Sequence, residues 1–340
     1  MYIPAVSIIM SVYNGERHIV EAIESIRTQS FASFEFIIVD DASTDSTPEI
    51  LRRYASKDNR ITILTNATNK ERSISRNRAI EQARSELIAV MDADDVAMPY
   101  RLEKQITFMQ ANTDVTVCGG KLSIYDAPTE IWLPPTKHEA IRAKLLFESS
   151  ILHPTAIYRK EPVSLHAGGY DTSLSLAEDY DLWARLSIHP AVRFANLPEI
   201  LCKYRVSHQD KKYKERLQLY ANIVRKKLLC SIGLTPTDKE FAAHLALSLC
   251  SRTLSFSEVW DCKKWLSKLY VAALTAESAY EREALRHELQ YRWLELCKNN
   301  IVASVFGLMY LCSEFRIFSI KLLLKFAKLI IKNIHKTLCK

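Results

Sequence analysis

Short apolar runs alternate with amphipathic segments over the first 120 residues. Val6–Met10, Phe34–Val39, Ile61–Leu64, Leu87–Met91 and Val115–Cys118 are compact stretches rich in Val and Ile. Runs of this length and composition predict strands buried on both faces. Between them, Arg17–Ile26 places apolar residues at 19, 22, 23 and 26, the spacing of one helix face. Pro48–Tyr54, Ser73–Ala83 and Tyr100–Met109 also read as helices, the first with its proline near the first turn. Gly119-Gly120 reads as the stop of the fifth strand. This alternation predicts an α/β fold with a mostly parallel central sheet covered by helices. From Lys211 onward the periodicity is helical, over 213–229, 237–249, 257–273 and 277–297, followed by a long tail. The expected organisation is an α/β domain over residues 1–210 and an α-helical C-terminal region over 211–340.

Charge follows the same division. The chain of 340 residues carries a net charge of +7. Residues 1–210 hold 23 Lys and Arg against 28 Asp and Glu, whereas residues 211–340 hold 23 against 11. Lys321, Lys325, Lys328, Lys332 and Lys336 recur every three or four residues among Leu, Ile and Phe. That pattern predicts a basic amphipathic helix lying in an anionic headgroup plane. Its other faces are too apolar for a nucleic-acid helix, and no nucleic-acid partner is expected. No apolar run reaches 18 residues, so no transmembrane helix is indicated. Eight Cys without a CxxC pair, and no basic residue ahead of the first apolar run, predict reduced thiols in the cytoplasm. The expected location is therefore peripheral, at the inner face of the cell membrane.

Three polar loops each follow a predicted strand: "SVYNGE" (Ser11–Glu16), "DDASTDS" (Asp40–Ser46) and Asp92-Ala93-Asp94-Asp95. Ligands of parallel sheets sit at the carboxyl ends of strands, so the three loops should converge. Carboxylates this close repel one another and lose hydration when buried. A hard divalent cation on Asp92 and Asp94 would relieve the repulsion and bridge to phosphates. Asp40 or Asp41 can accept the imide N–H of a pyrimidine, and Tyr13 can offer it an aromatic face. A nucleotide diphosphate with a metal is the ligand these features share. A lone DxD or an acidic turn is common by chance, so the weight rests on the conjunction.

Three segments carry a family resemblance: "VSIIMSVYNGERHIVEAIESIRTQSFASFEFIIVDDASTDSTPEIL" (Val6–Leu51), "RSISRNRAIEQARSELIAVMDADDVAMPYRL" (Arg72–Leu102) and "LAEDYDLWARL" (Leu176–Leu186). In order and spacing they closely resemble family 2 glycosyltransferases of the GT-A fold, over about residues 4–210. The resemblance implies a nucleotide-diphospho-sugar transferase using Mn or Mg. It implies that Asp41 contacts the base and Tyr13 stacks on it. It makes Asp94 the principal metal ligand, with Asp92 nearer the ribose, and allows Asp95 and His208 to share the metal. It puts Arg76 near the nucleotide, makes Asp179 the general base, and sets Glu178 beside the acceptor. Ser73 and Ser85 stand where the family often has Gly.

The residues also have plainer readings. Arg76 could cap its helix or pair with Glu81, and acids at a helix start often just face the dipole. Asp181 and His153 read as structural. The expected activity is inverting transfer from a UDP-sugar to a saccharide acceptor, itself lipid-linked, as in bacterial surface-polysaccharide assembly. A sugar-phosphate nucleotidyltransferase would be expected to carry a Gly-rich loop after its first strand, and "SVYNGE" has one Gly. A non-catalytic nucleotide-sugar-binding scaffold is opposed by the acids at Asp92, Asp94 and Asp179.

Overall fold

A computed structural model describes residues 3–206, 211–249, 253–276 and 280–298. His208 and the expected tail helix at 314–340 lie outside these residues. The chain divides into two compact units, Met1–Leu145 with Ser149–Leu228, and Leu146–Glu148 with the residues from Leu229 onward.

The first unit is built on a nine-stranded sheet. In chain order its elements begin β1 (Val6–Val12), α1 (Ile19–Arg27), β2 (Phe34–Asp40), α2 (Thr47–Ala55), β3 (Ile61–Thr65), α3 (Glu71–Gln82) and β4 (Leu87–Val90). They continue with β5 (Val96–Ala97), α4 (Arg101–Ala111), β6 (Val117–Ile124), β7 (Ile131–Trp132) and α5 (His138–Leu145). Next come β8 (Ile157–Arg159), α6 (Lys160–Ala167), α7 (Glu178–Ser187), β9 (Phe194–Tyr204) and α8 (Lys211–Ser231). The strand order is β3-β2-β1-β4-β8-β6-β9-β5, with β7 paired to β6. β3, β2, β1 and β4 run parallel, as do β6 and β9, while β8 lies antiparallel between β4 and β6.

Most of the apolar runs become strands because both their faces are covered; β3, expected to be buried on both faces, is instead the half-exposed edge strand. β2 is buried at every position, and α1 turns Ile19, Ala22, Ile23 and Ile26 onto the sheet. Charged residues within this layer are held by partners. Glu35 accepts from Ser7 Oγ at 2.6 Å, Arg84 N at 2.8 Å and Arg84 Nε at 2.7 Å, so its buried carboxylate is satisfied. Arg101, 1% exposed, donates to the carbonyl of Val90 at 2.7 Å and to Gln105 Oε1 at 3.0 Å. It thereby braces the end of β4 just before Asp92.

Gly119-Gly120 does not stop a strand. β6 continues through both to Ile124. A Cβ at 119 would fall 2.3 Å from Asn196 Oδ1, and one at 120 would fall 2.4 Å from Leu201 Cδ1. The glycines admit β9 at close range, where the β6–β9 register also shifts.

The second unit contains α9 (Asp238–Leu249), α10 (Phe256–Thr275) and α11 (Arg282–Lys298). Ser255 and Glu258 form a capping box at the start of α10. Buried His244 bonds the Leu146 carbonyl at 3.0 Å and Trp265 Nε1 at 3.1 Å, which fixes its neutral tautomer. Arg292 pairs with Glu148 at 2.5 Å and Glu288 at 2.6 Å. Among the described residues no helix is long and apolar enough to cross a membrane.

Candidate active site

The three polar loops do converge. Asn14 N donates to Ser43 Oγ at 2.9 Å, Gly15 N to Thr47 Oγ1 at 2.8 Å, and Thr44 N to Asn14 Oδ1 at 2.8 Å. These bonds lace the loop after β1 to the loop after β2. A cavity of about 660 Å³ opens beside them. It is lined by Tyr13, Asp41, Arg76, Asp92 and Asp94, together with Arg72, Arg205, Tyr213 and Arg216 among others. Among the described residues Asn14, Ala42, Glu71 and Ala177 take positive φ, and two of them, Asn14 and Glu71, line the cavity.

Asp41 is 3% exposed. Its Oδ1 accepts from Asn66 Nδ2 at 2.6 Å and from Lys70 N at 2.9 Å. Its other oxygen remains available to a ligand donor. Tyr13 is 51% exposed on the cavity wall, a ring without a packed partner face. Asp40 behaves differently. Its Oδ1 accepts from Ser43 N at 3.1 Å, and it does not line the cavity. Asp40 shapes the turn, and of the two strand-end acids it is Asp41 that lines the cavity.

Arg76 organises the centre. It projects from α3, whose buried face is polar, carrying Ser73, Ser75 and Arg76 beside Ala79 and Ile80. Its Nη2 donates to Asp92 Oδ1 at 2.7 Å and its Nη1 to Glu178 Oε1 at 2.6 Å. Pairing with Glu81 is not what the structure holds. Burial opposes the charge on Arg76, but Asp92 and Glu178 outweigh it and hold the guanidinium firmly protonated. Burial likewise opposes the charges on Asp92 and Glu178, yet Arg76 draws both carboxyls below their ordinary range.

The other acids have no such partner. Burial and the charge of Asp92 push Asp94 up. Asp95 is fully buried, raised to about 9 by burial and by the charges of Asp92 and Asp94. Its Oδ1 accepts from Arg205 N at 2.9 Å, and it does not line the cavity. Asp95, expected to share the metal, is thus held beneath the end of β9, while Asp92 and Asp94 line the cavity.

Asp92 and Asp94 fit a cation held by one or two carboxylates and completed by donor phosphates and water. Among the described residues no Lys, Arg or His pairs with Asp94 at contact distance. Among the described residues no three His, Cys, Asp or Glu side chains gather to hold a metal unaided.

α7 brings Glu178 onto Arg76, with Asp179 next to it in the first turn; neither acid lines the cavity itself. Ala177, in the left-handed region at φ 57°, turns the chain into the helix. Asp179 is half-buried and raised, first by burial and then by the charge of Glu178, with His153 acting in the opposite sense. Asp181 is fully buried and paired with Arg185 at 2.6 Å and Lys227 at 2.8 Å, a structural role. Gly168 caps α6 in the left-handed conformation. Gly169 passes so close to Asn77 that a Cβ would meet its Oδ1 at 2.7 Å.

His153, read from sequence as structural, is satisfied by the Tyr170 hydroxyl at 2.9 Å from Nε2, and its Nδ1 also stands 3.7 Å from Asp92 Oδ2. Arg72, Arg205, Tyr213 and Arg216 were not singled out from the sequence. The charge run at Lys211–Arg216 was the one local signal for the last two.

Comparison with known proteins agrees with this geometry. The family model of glycosyl transferase family 2 matches residues 7–165. An uncharacterized glycosyltransferase of Methanocaldococcus jannaschii is 36% identical over 213 residues, 61% of this chain and 72% of its own. The O-antigen biosynthesis glycosyltransferase WbnJ of Escherichia coli is 34% identical over 221 residues, 63% of this chain and 84% of its own. Among solved structures, S. aureus TarS 1–349 in complex with UDP-GlcNAc superposes with a TM-score of 0.55 at 19% identity, covering 92% of this chain and 93% of that one. The mannosyltransferase PcManGT of Pyrobaculum calidifontis, in complex with GDP-Man and Mn2+, gives 0.57 at 19% identity, covering 91% and 88%. Both share the GT-A fold seen here. Sheet order, strand-end acids and sequence similarity converge, and the chain belongs to glycosyl transferase family 2.

Proposed function

We propose that the chain is an inverting, metal-dependent glycosyltransferase that moves a sugar from a UDP-sugar to a lipid-linked saccharide at the cytoplasmic face of the membrane, in the assembly of a surface polysaccharide. The observation that carries the reading is Arg76, which ties the strand-end Asp92 to Glu178 at the start of α7. In this reading the bridge keeps Asp92, on the nucleotide side, close to the first turn of α7, where Asp179 follows Glu178. WbnJ, named for O-antigen biosynthesis, supports the polysaccharide setting.

In this reading Tyr13 stacks on the uracil, and the free oxygen of Asp41 accepts its imide N–H. Asp94 and Asp92 hold Mn or Mg, which when bound supplies Lewis-acid stabilisation of the leaving diphosphate. Asp179 takes the proton of the acceptor hydroxyl. The hydroxyl oxygen attacks the anomeric carbon from the face opposite the diphosphate, and the bond to the diphosphate oxygen breaks. A raised Asp179 suits a base that must accept a proton near neutral pH. Glu178, neutralised by Arg76, orients the acceptor side and leaves the proton to its neighbour.

Calorimetry with UDP, dTDP and GDP in the presence of Mn tests the nucleotide assignment. UDP should bind more tightly than GDP. Equal or stronger binding of GDP would contradict the roles of Asp41 and Tyr13.

A further inference from the structure

The first turns of α8 join the cavity to an exposed helix face. Tyr213 and Arg216 line the cavity. Lys212, Arg216, Leu219 and Ile223 then follow at spacings of four, three and four, which places them on one face. The stripe spans about 16 Å at 1.5 Å per residue. The opposite face is the one that packs, with Ala221, Val224, Arg225 and Leu228 buried. Leu219 is 65% exposed and Ile223 44%.

Neither half of the stripe is explained by folding. The first turn of α8 carries no acidic residue, and cations there oppose the helix dipole. Glu215 pairs with Lys211 at 3.8 Å, to one side of the stripe. A single exposed Leu is ordinary. Here two apolar side chains follow a cationic pair along the helix, and of the four only Arg216 lines the cavity.

We infer that this face of α8 reads the acceptor as an amphiphile, with Lys212 and Arg216 on a phosphate or diphosphate next to the acceptor sugar and Leu219 and Ile223 along its hydrocarbon chain. The inference rests on the glycosyltransferase reading of the cavity and specifies its acceptor. Charge complementarity selects the anionic group. Continuity with the cavity sets the order: sugar inside, phosphate at the mouth, chain outside.

The test uses the full chain, with the donor site saturated by UDP and Mn so that phosphate probes cannot occupy it. UDP binding, measured first, reports on the nucleotide-sugar reading: its absence would overturn that reading and this inference with it, whereas retained UDP binding leaves the titrations below to test the inference alone. Dodecyl diphosphate below its micellar concentration, inorganic pyrophosphate and an uncharged dodecyl glycoside are then titrated. Dodecyl diphosphate should bind tightest. Leu219→Asn with Ile223→Asn should weaken it about tenfold, the equivalent of 1.4 kcal/mol, and leave pyrophosphate unchanged. Lys212→Ala with Arg216→Ala should weaken both phosphate probes. Equal affinity of the glycoside and the diphosphate, or an unchanged diphosphate affinity in both double variants, would overturn the inference. So would variants that lose adsorption to anionic vesicles lacking acceptor while keeping dodecyl diphosphate affinity, because the face would then contact bilayer.

Discussion

Arg76 and Glu178 are 102 residues apart in the chain and 2.6 Å apart in space. The same guanidinium also holds Asp92, so one buried cation joins the acidic end of β4 to the first turn of α7. Fork geometry matters here, because two carboxylates are taken from two different directions.

Removing that cation should cost stability as well as activity. Arg76→Met leaves two carboxylates facing each other without their counter-charge. Loss of one partner of a buried ion pair typically costs about 3–5 kcal/mol. Asp92 keeps some solvent contact, so about 3 kcal/mol is expected, read as a shift in the denaturation midpoint of the full chain. Arg76→Lys should recover part of it, since an ammonium cannot reach both acids. A loss below about 1 kcal/mol would mean that the bridge is dispensable.

The proton acceptor is tested by Asp179→Asn, which keeps shape and removes basicity. Turnover should fall about 10²–10⁴-fold with UDP affinity near normal. In the wild type, kcat should rise with pH through the titration of Asp179, because the deprotonated form is the active one. That limb should lie above the ordinary aspartate value of 3.8, since burial and Glu178 raise the group. A limb at or below 3.8 would indicate a different base.

Metal dependence should centre on Asp94. Chelation should weaken UDP binding to the wild type by about tenfold or more. Asp94→Ala should bind UDP weakly with or without Mn. An Asp94→Ala variant whose UDP affinity still responds to Mn would place the cation elsewhere.

Glu35 gives a prediction away from the site. Burial works against its charge, but Ser7 and Arg84 draw the folded carboxyl below its ordinary 4.5. Its contribution is therefore fully present above 4.5 and lost as pH falls through the lower folded value. Glu35→Gln should be less stable than the wild type by about 1–3 kcal/mol at pH 7. The gap should narrow as the pH is taken below 4. A gap independent of pH would show that shape, not charge, is at stake.

Periodicity made the parallel strands and their helices legible, because β1, β2 and β4 are buried on both faces and alternate with amphipathic helices, although the edge strand β3 is half-exposed. It misjudged Gly119-Gly120, since the partner that needs the close approach, Asn196 on β9, lies more than 70 residues away. The acids were legible as a cluster but not one by one. Asp92, Asp94 and Asp95 are near neighbours in sequence, yet one pairs with Arg76, one lines the cavity unpaired, and one is buried under the end of β9. Which way each side chain turns is decided by tertiary contacts. The nearness of His153 to Asp92 was hidden for the same reason: a lone His before Pro has no local signature, and its partners Asp92 and Tyr170 come from other elements. Arg72 and Arg205 likewise join the site only through the folded chain.

The central claim is displacement at an anomeric carbon with Asp179 as base. It is tested most directly by following donor hydrolysis by NMR, with water standing in for the acceptor and an α-linked UDP-sugar with Mn as substrate. The free sugar should appear first as the β-anomer, before mutarotation, and its release should collapse in Asp179→Asn. Initial release of the α-anomer, or equal release by the Asn variant, would contradict the mechanism.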